Sequence, residues 1–106
     1  MTRQLRQAEL TKQMEALARL VSIAHGNTGQ SARAANFLLA WWNADRDGGF
    51  NLTDLWNLDQ QICDDMIAVF TMVANHRHHA DAYGLRDDFE RLVTEWRGRR
   101  RSGGRR

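Results

Sequence analysis

Apolar residues recur at helical spacing along most of the chain, and no stretch sustains the strict alternation of a half-buried strand. Leu10, Met14, Leu17, Val21 and Ala24 step by four, three, four and three residues. That places one stripe on a first helix over about 3–25. Several of Arg3, Arg6, Lys12 and Arg19 fall on its other side. Gly26 and Asn27 supply the stop, since both accept the left-handed conformation that closes helices. Asn27 or Thr28 caps a second helix over about 29–44, with Ala34, Phe37, Leu38 and Trp41 on its buried face. Trp42 lies about 100° further round, at the margin of that face. Asp45, Arg46, Asp47, Gly48 and Gly49 then break the pattern.

Thr53 is expected to cap a short segment holding Leu55 and Trp56, and Asp59 a longer helix running to about Arg77. Ile62, Met66, Val69, Phe70 and Val73 make the stripe of that helix. The stretch HHADAYG reads as a loop ending at Gly84. A last helix, about 86–97, carries Phe89, Leu92, Val93 and Trp96, and Gly98 ends it. Trp41, Trp56 and Trp96 read as core anchors, and Trp42 as partly exposed. The prediction is an all-α fold: a compact bundle of four main helices plus a short helical turn. Residues 1–96 form one domain and 97–106 a flexible basic tail.

Bulk numbers narrow the class. With 106 residues, 42% hydrophobic and 26% charged, the chain fits one soluble globular domain with a modest core. No apolar run approaches the ~20 residues of a membrane span, so no membrane partner is expected. The polar start MTRQLRQAEL is not expected to act as a secretory signal. Cys63 is the single cysteine, which fits a reducing cytoplasm. There is no proline, so glycine does most of the punctuation.

Charge is segregated into three blocks that the overall +2 conceals. Residues 1–39 carry +3, residues 40–96 carry −7, and the last ten carry +6. Arg97, Arg99, Arg100, Arg101, Arg105 and Arg106 stand among Gly98, Ser102, Gly103 and Gly104, with no acid. Such a segment cannot bury enough apolar surface to fold alone. The usual partner of a cationic arm is the phosphate backbone of a nucleic acid. The plainer alternative is a tail that only aids solubility.

Two local patterns could hold a metal. Asn43, Asp45, Asp47, Gly48, Phe50 and Asp54 follow the register of a calcium-binding EF-hand loop. Asparagine stands at the first position and aspartate at the twelfth, both weakening changes, and a helix-stop turn explains the segment better. His76, His78, His79 and Asp81 offer zinc-ligand chemistry. Adjacent His78 and His79 converge poorly on one ion, and histidines are favoured near a helix C-terminus anyway. No metal site and no cofactor are expected. Ser22, Ser31 and Ser102 stand in no nucleophile elbow, and no phosphate-binding fingerprint occurs, so no enzyme is expected.

The stretch ARAANFLLAWWNADRDGGFNLTDLW, with DDMIAVF and DAYGL after it, resembles a family of small uncharacterised proteobacterial and mobile-element proteins over about residues 17–97. The run WWNAD, two residues, GGF, one residue, LTDLW is its distinctive part. Length, style and basic tail also look like an anti-CRISPR protein of the type I-E class. That resemblance implies an inhibitor of the Cascade–Cas3 pathway that binds and does not catalyse. It assigns no functional residue.

Together these readings point to single-stranded DNA, such as the displaced strand of an R-loop. The tail arginines would neutralise phosphates, Arg3, Arg6, Lys12 and Arg19 would extend the track, and Trp42 would stack a base. The alternative is a protein-binding inhibitor. Its acidic surface of Asp54, Asp59, Asp64, Asp65, Asp87 and Asp88 would cover a basic channel of Cascade or Cas3.

Overall fold

A computed structural model describes residues 3–98. Four α-helices carry the fold: α1 (Arg3–Ala24), α2 (Gly29–Asp47), α3 (Gln60–Asn75) and α4 (Arg86–Arg97). Short 3₁₀ segments, Leu52–Asn57 and Ala80–Tyr83, precede α3 and α4. There is no strand among the described residues. The architecture is the all-α bundle that the apolar spacing predicts. α1 packs against both α2 and α3, and α4 packs against α2.

The helix ends follow local chemistry. The Thr28 hydroxyl accepts from the Ser31 N–H at 3.0 Å and starts α2. α2 continues past its expected end to Asp47, but Asn43 is extended there (φ −169°, ψ 85°). The last turn is therefore a separate one, closed by the Gly48 N–H on the Ala44 carbonyl at 2.9 Å. Gly48 has φ 96°, a conformation that L side chains resist. Asn51, not Thr53, caps the first 3₁₀ segment, its Oδ1 accepting from the Thr53 N–H at 3.1 Å. Asp59 occupies the N-cap position of α3 without a capping bond. Its N–H donates instead to Gln30 Oε1 at 2.7 Å, and Gln30 Nε2 donates to its carboxylate at 3.2 Å. α3 stops at Asn75, two residues early, because His76 turns extended. The expected HHADAYG loop holds the second 3₁₀ segment, with Ala80 buried.

The core is one cluster centred on Leu17, Leu20, Leu38, Leu39, Met66, Met72, Phe89 and Leu92. On α1 the buried face is wider than the single stripe predicted. Gln13, Ala16 and Leu20 are buried, while Met14 is 39% exposed. One helix that serves two neighbours needs two adjacent rows, and Ala16 and Leu20 supply the second. Two sequence-based core residues are corrected. Phe70 is 69% exposed and Trp56 is 82% exposed. The segment holding Trp56 has no buried residue, because six residues of 3₁₀ helix present no continuous stripe.

Arg97 corrects the expected start of the tail. It is the last residue of α4, and its Nε donates to the Asp47 carbonyl at 2.8 Å. Its Nη2 donates to Asn36 Oδ1 at 2.7 Å. Arg97 thus fastens α4 to both parts of α2 and belongs to the folded body. Arg99, Arg100, Arg101, Arg105 and Arg106 lie outside the described residues.

Candidate functional site

The cations expected to form one track are placed in three ways. Arg6 and Lys12 are exposed on the first half of α1, and the side chain of Arg3 lies outside the description. Arg19 is committed to the fold. Its Nε and Nη2 reach the two carboxylate oxygens of Asp65 at 3.0 and 2.9 Å. Those hydrogen bonds, and then the charge of Asp65, raise the Arg19 pKa further above its ordinary value. Trp96 Nε1 donates to the Ala24 carbonyl at 2.7 Å, which fixes the end of α4 beside the end of α1. The described chain therefore ends near that point. Lys12 and Arg6 lie about 18 and 27 Å back along α1 at 1.5 Å per residue. An eight-residue segment spans at most about 26–29 Å when extended. One continuous track requires residues 99–106 to run back along α1.

Trp42 is half-buried, at the margin where its angular position put it. Its ring lies 5.4 Å from that of Phe89 and 4.8 Å from that of His79. Its carbonyl meets His79 Nε2 at 2.9 Å. Ring surface that a base could stack on is thus already shared with two protein rings. The larger free aromatic surfaces are Trp56 and Phe70, which sequence reasoning assigned to the core. Asn51 just before the six-residue segment and Asn57 at its end were the available signal for Trp56.

The acidic residues do not form one surface. The Asp65 side chain is only 3% exposed, bonded to Arg19 and to Gln61 Nε2 at 3.0 Å, so it faces α1 rather than solvent. Asp54 lies 3.8 Å from Arg33, and Asp59 and Asp64 are exposed near the start of α3. Asp87 and Asp88 stand on α4, where Asp88 approaches His25 at 3.3 Å and Arg91 at 3.7 Å. His25 also meets Glu95 at 2.8 Å, so this group clips the end of α1 to α4.

The Arg19–Asp65 pair gives a direct prediction. Arg19 is half exposed, whereas Asp65 is buried, so losing the cation strands a buried carboxylate. Arg19→Ala should lower the melting temperature by several degrees. Arg19→Ala combined with Asp65→Leu should recover most of that loss. Thermal melts followed by circular dichroism check both, and a neutral Arg19→Ala would show that Asp65 gains other partners.

In the segment Asn43–Asp54 the side-chain oxygens of Asn43, Asp47 and Asp54 are engaged by neighbouring groups. Asn43 Oδ1 accepts from the Arg46 N–H at 3.2 Å. Arg46 is bidentate on Asp47, at 3.1 and 3.0 Å, and Asp54 turns toward Arg33. Those Asp47 hydrogen bonds raise the Arg46 pKa above its ordinary value, against the opposing pull of burial. His78 packs edge-on to Tyr83, His79 serves Trp42, and Asp81 accepts from Arg86 at 3.1 Å. Among the described residues no group of three or more His, Cys, Asp or Glu could hold a metal ion. No helix among them is long and apolar enough to cross a membrane.

One side of the bundle carries apolar hollows. A hollow of about 330 Å³ lies between α2, α3 and the first 3₁₀ segment, with Phe37, Phe50, Leu52 and Phe70 in its wall. A second, of about 190 Å³, shares Phe70 and adds Ile67 and Leu55. Phe37 and Phe50 meet edge to face at 5.4 Å on its floor. Neither hollow contains a nucleophile or a paired acid and base. The chemistry available here is binding by apolar contact.

No curated protein and no solved structure matches the chain. A family of unknown function, DUF7673, matches residues 14–97. That span runs from the second half of α1 to the final arginine of α4 and takes in the apolar hollows and both buried aspartates, Asp47 and Asp65. The chain belongs to the DUF7673 family, whose function is unknown.

Proposed function

We propose that this chain is a non-enzymatic inhibitor of type I-E CRISPR interference that binds single-stranded DNA in the bacterial cytoplasm. The displaced strand of an R-loop is the target that best fits an arm of this kind. The observation that carries the reading is the run of five arginines without an acid over residues 99–106. It follows a helix end that Arg97 and Trp96 tie to the body. A fixed point of departure gives the arm a defined reach, and arginine neutralises phosphate at every contact. The exposed Arg6 and Lys12 would extend the track once the strand passes along α1.

A second reading has one observation in its favour. Asp59 and Asp64 are exposed near the start of α3, and Asp54 lies in the 3₁₀ segment whose Leu52 and Leu55 line a hollow, so a basic protein surface of Cascade or Cas3 could dock at that edge. Gel shifts of the full chain with single-stranded DNA, duplex DNA and Cascade, run separately, distinguish the readings. A shift with Cascade alone would put the acidic edge in place of the arm.

The body should fold without the arm, since every buried apolar side chain described precedes Arg97. Truncation after Gly98 keeps the Arg97 bonds. It should leave the melting transition within a degree or two of the parent and abolish the shift with single-stranded DNA. A loss of cooperative melting would mean that residues 99–106 pack on the acidic half.

A further inference from the structure

α3 is the most apolar of the four helices, and it carries two apolar rows. The inner row, Ile62, Met66, Val69 and Met72, is buried. The outer row is Cys63, Ile67, Phe70 and Ala74. Its steps of four, three and four residues are those of a seam between paired helices. Ile67 and Phe70, in its middle, are 57% and 69% exposed, and Leu52 beside them is 72% exposed. A helix apolar on both sides is expected to be covered on both sides. Residues 99–106 contain no apolar side chain, so that segment cannot cover it.

We propose that the outer row of α3 is the interface of a homodimer, in which α3 pairs antiparallel with the α3 of a second copy across a two-fold axis near Ala68–Val69. In that register Ile67 meets the partner's Phe70, whereas Cys63 is covered by its own chain, its Sγ donating to the Leu55 carbonyl at 3.3 Å.

Charge selects both the occupant and the direction. Asp59 and Asp64 are exposed at the start of α3, and Arg77 and His78 are exposed just past its end. Antiparallel pairing sets each acidic end over the partner's basic end. Parallel pairing would set like charge on like. A second copy thus brings the matching pattern with it. The hollows flanking Phe70 give room for the partner's protruding side chains. A stable interface needs about 800 Å² per partner, roughly an eighth of the 6710 Å² surface. The dimer stands apart from the DNA reading, although two arms on one particle would raise avidity for a strand long enough to meet both.

Sedimentation velocity on the full chain, from micromolar to hundreds of micromolar, tests this. The expected particle has twice the 12.2 kDa chain mass. Phe70→Glu should raise the dimer dissociation constant at least about thirty-fold, as an interface anchor does. Its helical circular dichroism should be unchanged, since Phe70 lies outside the core. Gln60→Arg, which sets a cation opposite the partner's Arg77, and Arg77→Asp should each weaken the dimer, and the two together should restore it. A monomer at every concentration overturns the proposal, as does a dimer that survives Phe70→Glu. Failure of the double variant to restore a dimer that each single change weakens overturns the antiparallel register.

Discussion

Replacing Arg99, Arg100 and Arg101 with alanine should make binding to single-stranded DNA much weaker and far less sensitive to salt. Each phosphate neutralised on a single strand releases about 0.7 counterion. Arg97 is occupied by Asp47 and Asn36, so five arginines of the arm remain for phosphate. The parent's log–log salt slope should therefore be about −3.5, and the triple variant's about −1.4. Between 50 and 200 mM salt the parent should lose about a hundredfold in affinity and the variant less than about tenfold. Both slopes should be independent of base sequence, because phosphate contacts carry no sequence information. Fluorescence anisotropy titrations of a labelled oligonucleotide across that salt range measure them. Equal slopes for parent and variant would show that the arm does not carry the binding, and would leave Arg6 and Lys12 as the remaining contacts.

The fold was legible because its signals are local. Period, caps and glycine stops are set by residues a few positions apart, and they placed α1, α2 and α4 within three residues of their observed ends. What sequence could not supply was pairing across the bundle. Arg19 and Asp65 are 46 positions apart, and Arg97 and Asp47 are 50 apart, yet these contacts decide which charges face solvent. Arg19 looked like part of a cationic face, and Asp65 like part of an acidic one. Their pairing takes Asp65 off the surface and ties the half-exposed Arg19 guanidinium to it. Trp42 shows the same limit. Its angular position on α2 correctly implied a margin, but its neighbours Phe89 and His79 come from elsewhere in the chain. Trp42→Ala is consequently a packing variant before it is a binding variant, and a loss of DNA affinity on that change counts for stacking only where the melting curve is intact.

Phe89→Ala should be the most damaging single substitution discussed here, and the comparison with Phe70→Ala makes it informative. Both phenylalanines lie on apolar stripes of their helices, and sequence alone does not separate them. Phe89 is fully buried. Its ring meets Trp41 edge to face at 5.8 Å and Trp42 at 5.4 Å. α4 joins the bundle chiefly through α2, so Phe89 sits where that attachment is made. Removing it exposes a cavity between two tryptophans that are too large to close in. The expected cost is about 3–5 kcal/mol, against a total stability of roughly 5–15 kcal/mol for a domain. At about 4–8 °C per kcal/mol for a domain of this size, the melting temperature should fall by roughly 12–40 °C. Phe89→Leu keeps most of the volume and should cost less than about 1.5 kcal/mol. Phe70→Ala, measured in dilute solution where no second copy covers it, should stay within about 0.5 kcal/mol of the parent. Thermal and urea melts of the three variants give the comparison. If Phe70→Ala in dilute solution cost as much as Phe89→Ala, the core would extend across the outer side of α3, and the face assigned to a second copy would belong to the monomer.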